Sequence, residues 1–452
     1  MKVLLVQPAS CDPLTDRIFL FEPLALEYLG AGLKEDGHDV RLLDARIEPD
    51  YQSVYRLFQP DVVGLTGFTS QLNIIKEMAE RLKSISPEVV IIVGGHHATV
   101  RPTDFNGARI DAVVIGEGVF TLREMLRALE TGTSFLSIPG LAVPGRDGMV
   151  FSKARPYTDL NALPFPDRTL TAGYRKQYFS EWFSPLASVR TSLGCTARCN
   201  FCALWKITAG KYLRRDPEKV VAELLGVAEP NVFFCDDESM CDVQRMDRLA
   251  ELIAAAGIRK RYFLYGRVDT IVNHPELFAK WANIGLAQVF VGMEDFSDQR
   301  LSAMNKGIST AQQAEAVKIL DRLGVMMYAS YMVDPAYTSE DFSGLLAYVR
   351  NMKHKYATFT VMTPLPGTDL YDQRQHELLS HKPELYDMLH TLLPTTLPIQ
   401  EFYQEFANLW IKAVPLYRLL PTLFRFGLHG MLTRVKIFSR VLEKFKLMHL
   451  DY

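Results

Sequence analysis

The sequence predicts an α/β protein: a doubly wound N-terminal domain, then a full or partial (β/α) barrel, then a helical C-terminal region. Three observations carry this expectation. Short apolar runs alternate with amphipathic stretches as far as about residue 370, two of the runs close on glycine-rich turns (Gly94-Gly95 and Gly116-Glu117-Gly118), and the strand pattern then stops. Continuous apolar strands separated by helices imply a parallel sheet covered on both faces.

Residues 1–135 form the first domain. Lys2–Gln7 reads as a buried strand and Glu22–Asp36 as an amphipathic helix stopped by Gly37. Val40–Asp44 and Asp61–Thr66 are further strands, and Gln71–Ser84 is a helix. Val89–Val93 is a strongly apolar strand before Gly94-Gly95. Asp111–Ile115 is closed by Gly116-Glu117-Gly118, with Thr121–Glu130 as the next helix. Ligands of such sheets bind at the carboxyl ends of the strands, here the loops Gln7–Arg17, Thr66–Ser70, Gly94–Thr99 and Gly116–Gly118.

Residues 136–185 are richer in Pro and Gly and read as a linker, with a small hairpin around Arg146-Asp147-Gly148. Strand–helix alternation returns in 186–370, with strands at Ala187–Thr191, Asn231–Cys235, Arg261–Gly266, Gln288–Gly292, Met326–Met332 and Thr358–Met362. A barrel of this kind carries its chemistry at the carboxyl ends of its strands. Residues 371–452 read as helices rich in Leu, Phe and Tyr, interrupted at Pro394, Pro398, Pro415 and Pro421.

A composition of 48% hydrophobic and 23% charged residues is that of a globular chain with a real core. With 50 basic against 52 acidic residues, no nucleic acid or other polyanion is expected as the main partner. The apolar run Val3–Val6 is too short for a signal peptide, and no stretch of eighteen apolar residues appears, so a cytoplasmic location is expected.

Three of the six cysteines crowd into Cys195-Thr196-Ala197-Arg198-Cys199-Asn200-Phe201-Cys202, just after a strand. Thiolates that converge from one short loop suit an iron–sulfur cluster. Structural zinc sites use four ligands, often as two separated pairs, and no second pair follows. A zinc-stabilised binding module and a simple electron carrier nevertheless remain open at this point. Three protein ligands leave one iron open, and Phe201 supplies an apolar shield beside the last thiol. Cys11 and Cys235 are read as packing thiols, and Cys241 is assigned no role.

Cys-x-x-x-Cys-x-x-Cys with an aromatic residue before the third Cys resembles the signature of the radical S-adenosylmethionine (SAM) superfamily. The resemblance implies a [4Fe–4S] cluster on Cys195, Cys199 and Cys202, whose open iron chelates SAM. Later segments resemble the same family: Phe233-Phe234-Cys235-Asp236-Asp237 its second strand end, Gly266-Arg267-Val268-Asp269 its third, and Gly292-Met293-Glu294 its fourth. Thr363-Pro364-Leu365-Pro366-Gly367-Thr368 resembles the last-strand motif. Asp236, Asp237, Arg267 and Glu294 are the implied SAM-site residues, although Arg267 serves equally well as a structural partner of Asp269.

A doubly wound domain before such a barrel resembles the cobalamin-binding subclass, with a Rossmann-like first domain. Phe21-Glu22-Pro23-Leu24-Ala25-Leu26-Glu27 resembles its first helix. The loops bearing Thr66 and Ser70, Gly94, Gly95 and His96, and Gly116, Glu117 and Gly118 resemble its cofactor loops. Glycines there let backbone approach a flat macrocycle. The Asp-x-His-x-x-Gly motif that supplies a lower cobalt ligand in other cobalamin domains is absent, and His96 and His97 are read as polar loop contacts.

The activity implied is methylation of an unactivated carbon: one SAM methylates cobalamin, and a second yields a 5′-deoxyadenosyl radical that removes a substrate hydrogen. The segment Leu389–Pro398 with Phe402-Tyr403 resembles methylases of polycyclic bacterial products, among them hopanoid ring methylases acting at carbon-3 and bacteriochlorophyll side-chain methylases. A cobalamin-binding radical SAM cyclase or rearrangement enzyme is the alternative. A hydrophobic small-molecule substrate and an external electron donor such as flavodoxin or ferredoxin follow from the resemblance. The stretch after Trp410 interleaves Lys412, Arg418, Arg425, Arg434, Lys436, Arg440, Lys444 and Lys446 with apolar residues, a pattern expected to touch the inner membrane face peripherally.

Overall fold

The computed structural model describes the chain apart from residues 157–158, 354–355 and 414–419. It resolves into two compact units. One comprises Met1–Val189 with Lys206–Ala209 and Leu213–Lys219; the other comprises Arg190–Trp205, Gly210–Tyr212 and Val220–Tyr452.

The first unit contains β1 (Lys2–Gln7), α1 (Leu24–Glu35), β2 (Asp39–Asp44), α2 (Tyr51–Phe58), β3 (Val62–Thr66), α3 (Leu72–Ile85), β4 (Val90–Gly94), α4 (His96–Val100), β5 (Ala112–Val114), α5 (Val119–Thr131), β6 (Leu141–Gly145), β7 (Gly148–Phe151) and β8 (Leu186–Val189). Strands β1 to β7 form one sheet in the order β2-β1-β3-β4-β5-β6-β7, parallel through β5. Alternation within β1 shows why both faces are covered. Val3 and Leu5 pack with Leu26 and Leu33 of α1 and with Leu122, Met125 and Leu126 of α5. Leu4 and Val6 face the other way, into Val54 and Tyr55 of α2 and Ile75, Met78 and Leu82 of α3. The strand order reverses between β1 and β3, the switch point where ligands of open parallel sheets bind.

Helix α2 was not among the sequence expectations: it is short, and its cue is Asp50, whose side chain accepts from the Ser53 amide. The expected hairpin is present as β6–β7, antiparallel and turning at Arg146-Asp147 between Gly145 and Gly148. Residues 167–188 are fastened to α1 and the residues before it by buried acids. Glu22 accepts from the Ser188 amide and from Arg175, and Glu27 accepts from Thr171 Oγ1 at 2.5 Å.

The second unit contains β9 (Asn231–Phe234), α6 (Val243–Ala255), β10 (Arg261–Gly266), α7 (Val268–Asn273), α8 (Pro275–Asn283), β11 (Leu286–Glu294), α9 (Asp298–Ala303), α10 (Thr310–Arg322), β12 (Met326–Val333), α11 (Ser339–Met352), β13 (Tyr356–Val361), α12 (Asp369–Arg374), α13 (Ile399–Ala413) and α14 (Leu420–Leu447). Strands β9 to β13 lie side by side in chain order, each parallel to the next. One face is dry: Phe234, Tyr262 and Trp281 are fully buried and pack edge to face or tilted. The other carries an aromatic ladder, Phe233–Phe263 (ring centroids 4.6 Å apart), Tyr265–Phe290 (5.1 Å) and Phe290–Tyr328 (5.6 Å). Tyr265, Phe290 and Tyr328 remain partly exposed, whereas Tyr331 is buried against Phe359.

Pro394 and Pro398 precede α13 as expected, but Pro421 does not interrupt a helix. It sits in the first turn of α14, where a missing amide proton costs nothing. The break falls instead at Gly427, with φ 66° and ψ 176°. Pro415 and Arg418 lie outside the described residues. No helix among the described residues is long and apolar enough to cross a membrane.

Candidate functional site

The cysteine loop begins where Asp236, just past β9, grips the residues leading into it. Its carboxylate is 1% exposed and accepts from the Thr191 amide (2.6 Å), Thr191 Oγ1 (2.5 Å) and the Ser192 amide (2.8 Å). Asp237 accepts from the Gly194 amide at 2.6 Å. Both predicted acids therefore hold the loop by its backbone. Farther along, Asn200 donates its amide to Met304 O (3.1 Å) and its side chain to Ala303 O (2.9 Å), while Leu370 N donates to Asn200 O (2.9 Å). The turn after α9 and the start of α12 thus pin the loop from two further sides.

Cys199 is buried, Cys195 and Cys202 are partly so, and all three thiols are free. Burial pushes the Cys202 thiol up to about 12 and raises Cys195 too, outweighing the amides of Leu204 and Ala197 that donate to the two sulfurs. Desolvated thiols with amide donors already aimed at them fit a bound cationic metal centre, which deprotonates coordinating thiols outright. Among the described residues, no three His, Cys, Asp or Glu side chains are grouped closely enough to hold a single metal ion.

Around the loop, the other strand ends gather charge. Arg267 makes a bidentate pair with Asp269 (2.9 and 3.1 Å), donates to Lys306 O (3.0 Å) and lies within electrostatic reach of Cys195 and Cys199. Glu294 ends β11 in a left-handed conformation, φ 65°, which costs a non-glycine residue about 1 kcal/mol or more. Its Oε1 accepts from Lys306 Nζ at 2.5 Å. Gly292 makes this pair possible, because a Cβ there would collide with Glu294 Oε1. Lys306 Nζ also stands 6.0 Å from the ring of Phe201.

Two residues here escaped the sequence reading. Lys306 carries no motif, so only folding brings it to Glu294. Glu238 follows Asp236-Asp237 directly, and the third acid of that run was its available signal. It is 1% exposed, accepts from the Met240 amide at 3.2 Å through Oε1 and has the Cys241 thiol as a side-chain neighbour, and Oε2 meets no nitrogen or oxygen donor. Burial pushes its carboxyl up to about 7. A buried orphan acceptor fits an N–H donor of a positively charged ligand, such as the amino group of SAM.

In the first unit, the loops after β1, β3, β4 and β5 are joined into one rim. Gln71 Nε2 donates to Ala9 O (2.9 Å), Cys11 Sγ to Ser70 O (2.9 Å), the His97 amide to Gly67 O (3.2 Å) and the Gly116 amide to Thr99 Oγ1 (3.1 Å). Gly95 adopts φ 96° and ψ −166°, and a Cβ on it would strike Thr66 Oγ1 and come 3.0 Å from Gly67 N. Gly94, Gly95 and Gly116 thus keep the rim low, the shape a flat macrocycle needs. Phe68, 62% exposed, stands beside His96 with ring centroids 5.9 Å apart. His97 turns inward, 3.0 Å from Thr69 Oγ1 and 3.3 Å from Asp104, as a structural residue. Glu117 caps α5, accepting from the Val119 amide at 2.5 Å, with Gly118 at the helix start.

Comparisons with known proteins agree with both halves. The B12 binding domain family matches residues 16–126, and the radical SAM superfamily matches residues 189–349. Hopanoid C-3 methylase of Methylococcus capsulatus is 30% identical over 412 residues, covering 90% of this chain and 78% of that protein. The anaerobic magnesium-protoporphyrin IX monomethyl ester cyclase of Rubrivivax gelatinosus is 26% identical, covering 86% and 71%. The fold is that of the radical SAM methyltransferase TsrM from Kitasatospora setae, solved with cobalamin and a [4Fe–4S] cluster: TM-score 0.73 at 17% identity, covering 92% of this chain and 89% of that one. The extent of these matches makes this chain a member of the cobalamin-binding radical SAM methyltransferase family, whose cofactors are cobalamin, SAM and a [4Fe–4S] cluster.

Proposed function

We propose that this enzyme methylates an unactivated carbon of a hydrophobic polycyclic molecule of the hopanoid type. The 30% identity to hopanoid C-3 methylase through nine-tenths of the chain carries the proposal. The partly exposed aromatic ladder Tyr265–Phe290–Tyr328 supports an apolar substrate. Cys195, Cys199 and Cys202 would hold a [4Fe–4S] cluster, which would bind SAM through its amino and carboxylate groups. Glu238 accepts from an N–H of the SAM amino group, Lys306, Arg267 and Glu294 balance charge beside it, and Asp236 and Asp237 fix the loop. Thr66, Ser70, Gly94, Gly95, His96, Gly116, Glu117 and Gly118 form the cobalamin rim. When bound, the cofactors supply a radical that removes hydrogen and a methyl group that replaces it. An external one-electron donor of flavodoxin or ferredoxin type completes the system.

Anaerobic incubation with methyl-labelled SAM and hopanoid extracts tests this. The expected result is a labelled product one carbon heavier, with two SAM consumed per methyl. SAM cleavage without label in any hopanoid would refute the substrate. The relationship to the cyclase favours a second reading, ring formation, whose product gains no carbon.

A polycyclic lipid substrate also gives the C-terminal helix a role, and we propose that the outer side of α14 and the residues after it rest on an anionic lipid surface. Leu432 (56%), Val435 (46%), Phe438 (38%) and Leu450 (68%) are exposed alongside the exposed Lys436, Arg440 and Lys446. The opposite side buries Phe445 against Phe406 and Trp410. Cosedimentation should be strong with vesicles containing anionic phospholipid, weak with zwitterionic ones, and abolished by Leu432→Asp with Val435→Asp. Equal binding to both vesicle types would remove the idea.

A further inference from the structure

The cysteine loop is held from its outer side by a side chain that no cluster chemistry requires. Arg198 Nη1 shares its two protons among three successive carbonyl oxygens, those of Cys195 (3.2 Å), Thr196 (3.0 Å) and Ala197 (3.1 Å). Its Nη2 reaches Gly210 O at 3.1 Å. The guanidinium stands 5.2 Å from the ring centroid of Trp205, whose Nε1 donates to Cys199 O at 3.1 Å. Asn305 Nδ2 in turn donates to the carbonyl of Arg198 at 2.7 Å. The cap is fitted closely: a Cβ on Gly210 would come 2.5 Å from Nη2.

A trans peptide points its carbonyl and its amide proton in opposite directions. Drawing the carbonyls of Cys195, Thr196 and Ala197 outward therefore turns the amides of Thr196, Ala197 and Arg198 toward the thiol side. The Ala197 amide does donate to the Cys195 sulfur. Hydrogen bonds to the sulfurs are among the factors that set the potential of an iron–sulfur cluster, because they stabilise the more negative, reduced state.

We propose that Arg198 is a positioning residue for the cluster, an outer clamp that orients the loop amides toward the cluster sulfurs and makes the cluster easier to reduce. This rests on the reading of the three cysteines as cluster ligands. Lysine keeps the charge, and its ammonium could meet the carbonyls as Nη1 does, but it has no second nitrogen for Gly210 O and no plane to lay on Trp205, so it leaves the clamp unanchored. The charge and the clamp can therefore be separated.

The test is reconstitution of the full chain, wild type, Arg198→Lys and Arg198→Ala, with iron and sulfide. Iron content, cobalamin binding and an EPR-monitored redox titration are then read for each. Both variants should bind cobalamin and fold as wild type, and at a fixed poise their reduced-to-oxidised cluster ratio should fall about tenfold, equivalent to about 59 mV for one electron. Failure of both folded variants to retain iron also supports the clamp. An Arg198→Lys potential equal to wild type overturns it, leaving only a charge effect, and so does an unchanged potential in both. If the wild type itself binds no cluster, the cysteine assignment falls first and this proposal with it.

Discussion

Asp236 is the position where a scaffold role and a cofactor role predict opposite results. Its carboxylate accepts three hydrogen bonds from Thr191 and Ser192, all in a site 1% exposed. Hydrogen bonds to a charged acceptor contribute about 1.5–3 kcal/mol each, and buried donors left unpaired cost about 1–3 kcal/mol. These are not additive, so Asp236→Ala should destabilise the apo chain by about 3–5 kcal/mol, the loss seen when one partner of a buried network is removed. For a domain of this size about 2–4 °C accompanies each kcal/mol, so its thermal transition should fall by roughly 10 °C. Asp236→Asn keeps one oxygen for the two amides and lets its NH2 donate to Thr191 Oγ1, so at least half of that loss should return. Differential scanning calorimetry of the metal-free chain measures it. If both variants melt like wild type while SAM binding weakens, Asp236 is a ligand contact and the scaffold assignment is wrong.

Other perturbations follow from the same balance of buried groups. Burial, and then the neighbouring Glu22 charge, push the Glu27 carboxyl up to about 8, so the folded chain keeps a proton that the unfolded chain releases. Stability from this group is full below the ordinary value of 4.5 and declines as pH rises through about 8; Glu27→Gln should flatten that decline in a melting series, and an unaltered slope would refute it. Gly95→Ala forces a Cβ onto Thr66 Oγ1 at a backbone conformation reserved for glycine. Cobalamin affinity should fall at least tenfold with iron loading kept, as read by absorbance titration. Gly292→Ala should break the Glu294–Lys306 pair at a cost of about 1–3 kcal/mol and weaken SAM binding with the cluster intact, by calorimetric titration of the reconstituted enzyme.

Most of the fold was legible because its signals are local. The apolar run of β1 predicts a strand buried on both faces, and Val3 and Leu5 opposite Leu4 and Val6 are that strand. The glycines after β4 and β5 marked the rim for the same reason, since φ 96° at Gly95 and 84° at Gly116 are written in the residue type. Helix α2 was missed because it is short: its apolar side is sharply defined, but eight residues with only Val54 and Tyr55 buried make too brief a pattern to stand out. The misreading of Pro421 has the opposite cause: proline signals both a helix break and a helix start, and position alone decides between them. Lys306 was out of reach, because its partner Glu294 is twelve residues away and nothing local links them.

The run Asp236-Asp237-Glu238 shows where sequence reading ends, for three adjacent acids have three different surroundings. Asp236 is saturated by groups some 45 residues earlier, Asp237 takes the Gly194 amide, and Glu238 keeps a fully buried oxygen unpaired. A buried acceptor without a partner costs about 1–3 kcal/mol. Burial holds this carboxyl near 7, so the apo chain avoids part of that cost by carrying a proton there. A cationic ligand arriving at Oε2 would make ionisation favourable and recover the loss, which links ligand affinity to pH. Glu238→Gln removes the titration while keeping the shape. The apo variant should be no less stable than wild type, whereas its SAM affinity should fall tenfold or more above pH 7, about 1.4 kcal/mol, and converge with wild type at lower pH. Calorimetric titration of SAM into both reconstituted proteins across pH gives the answer. Equal affinities at every pH would mean that the orphan oxygen meets something other than SAM.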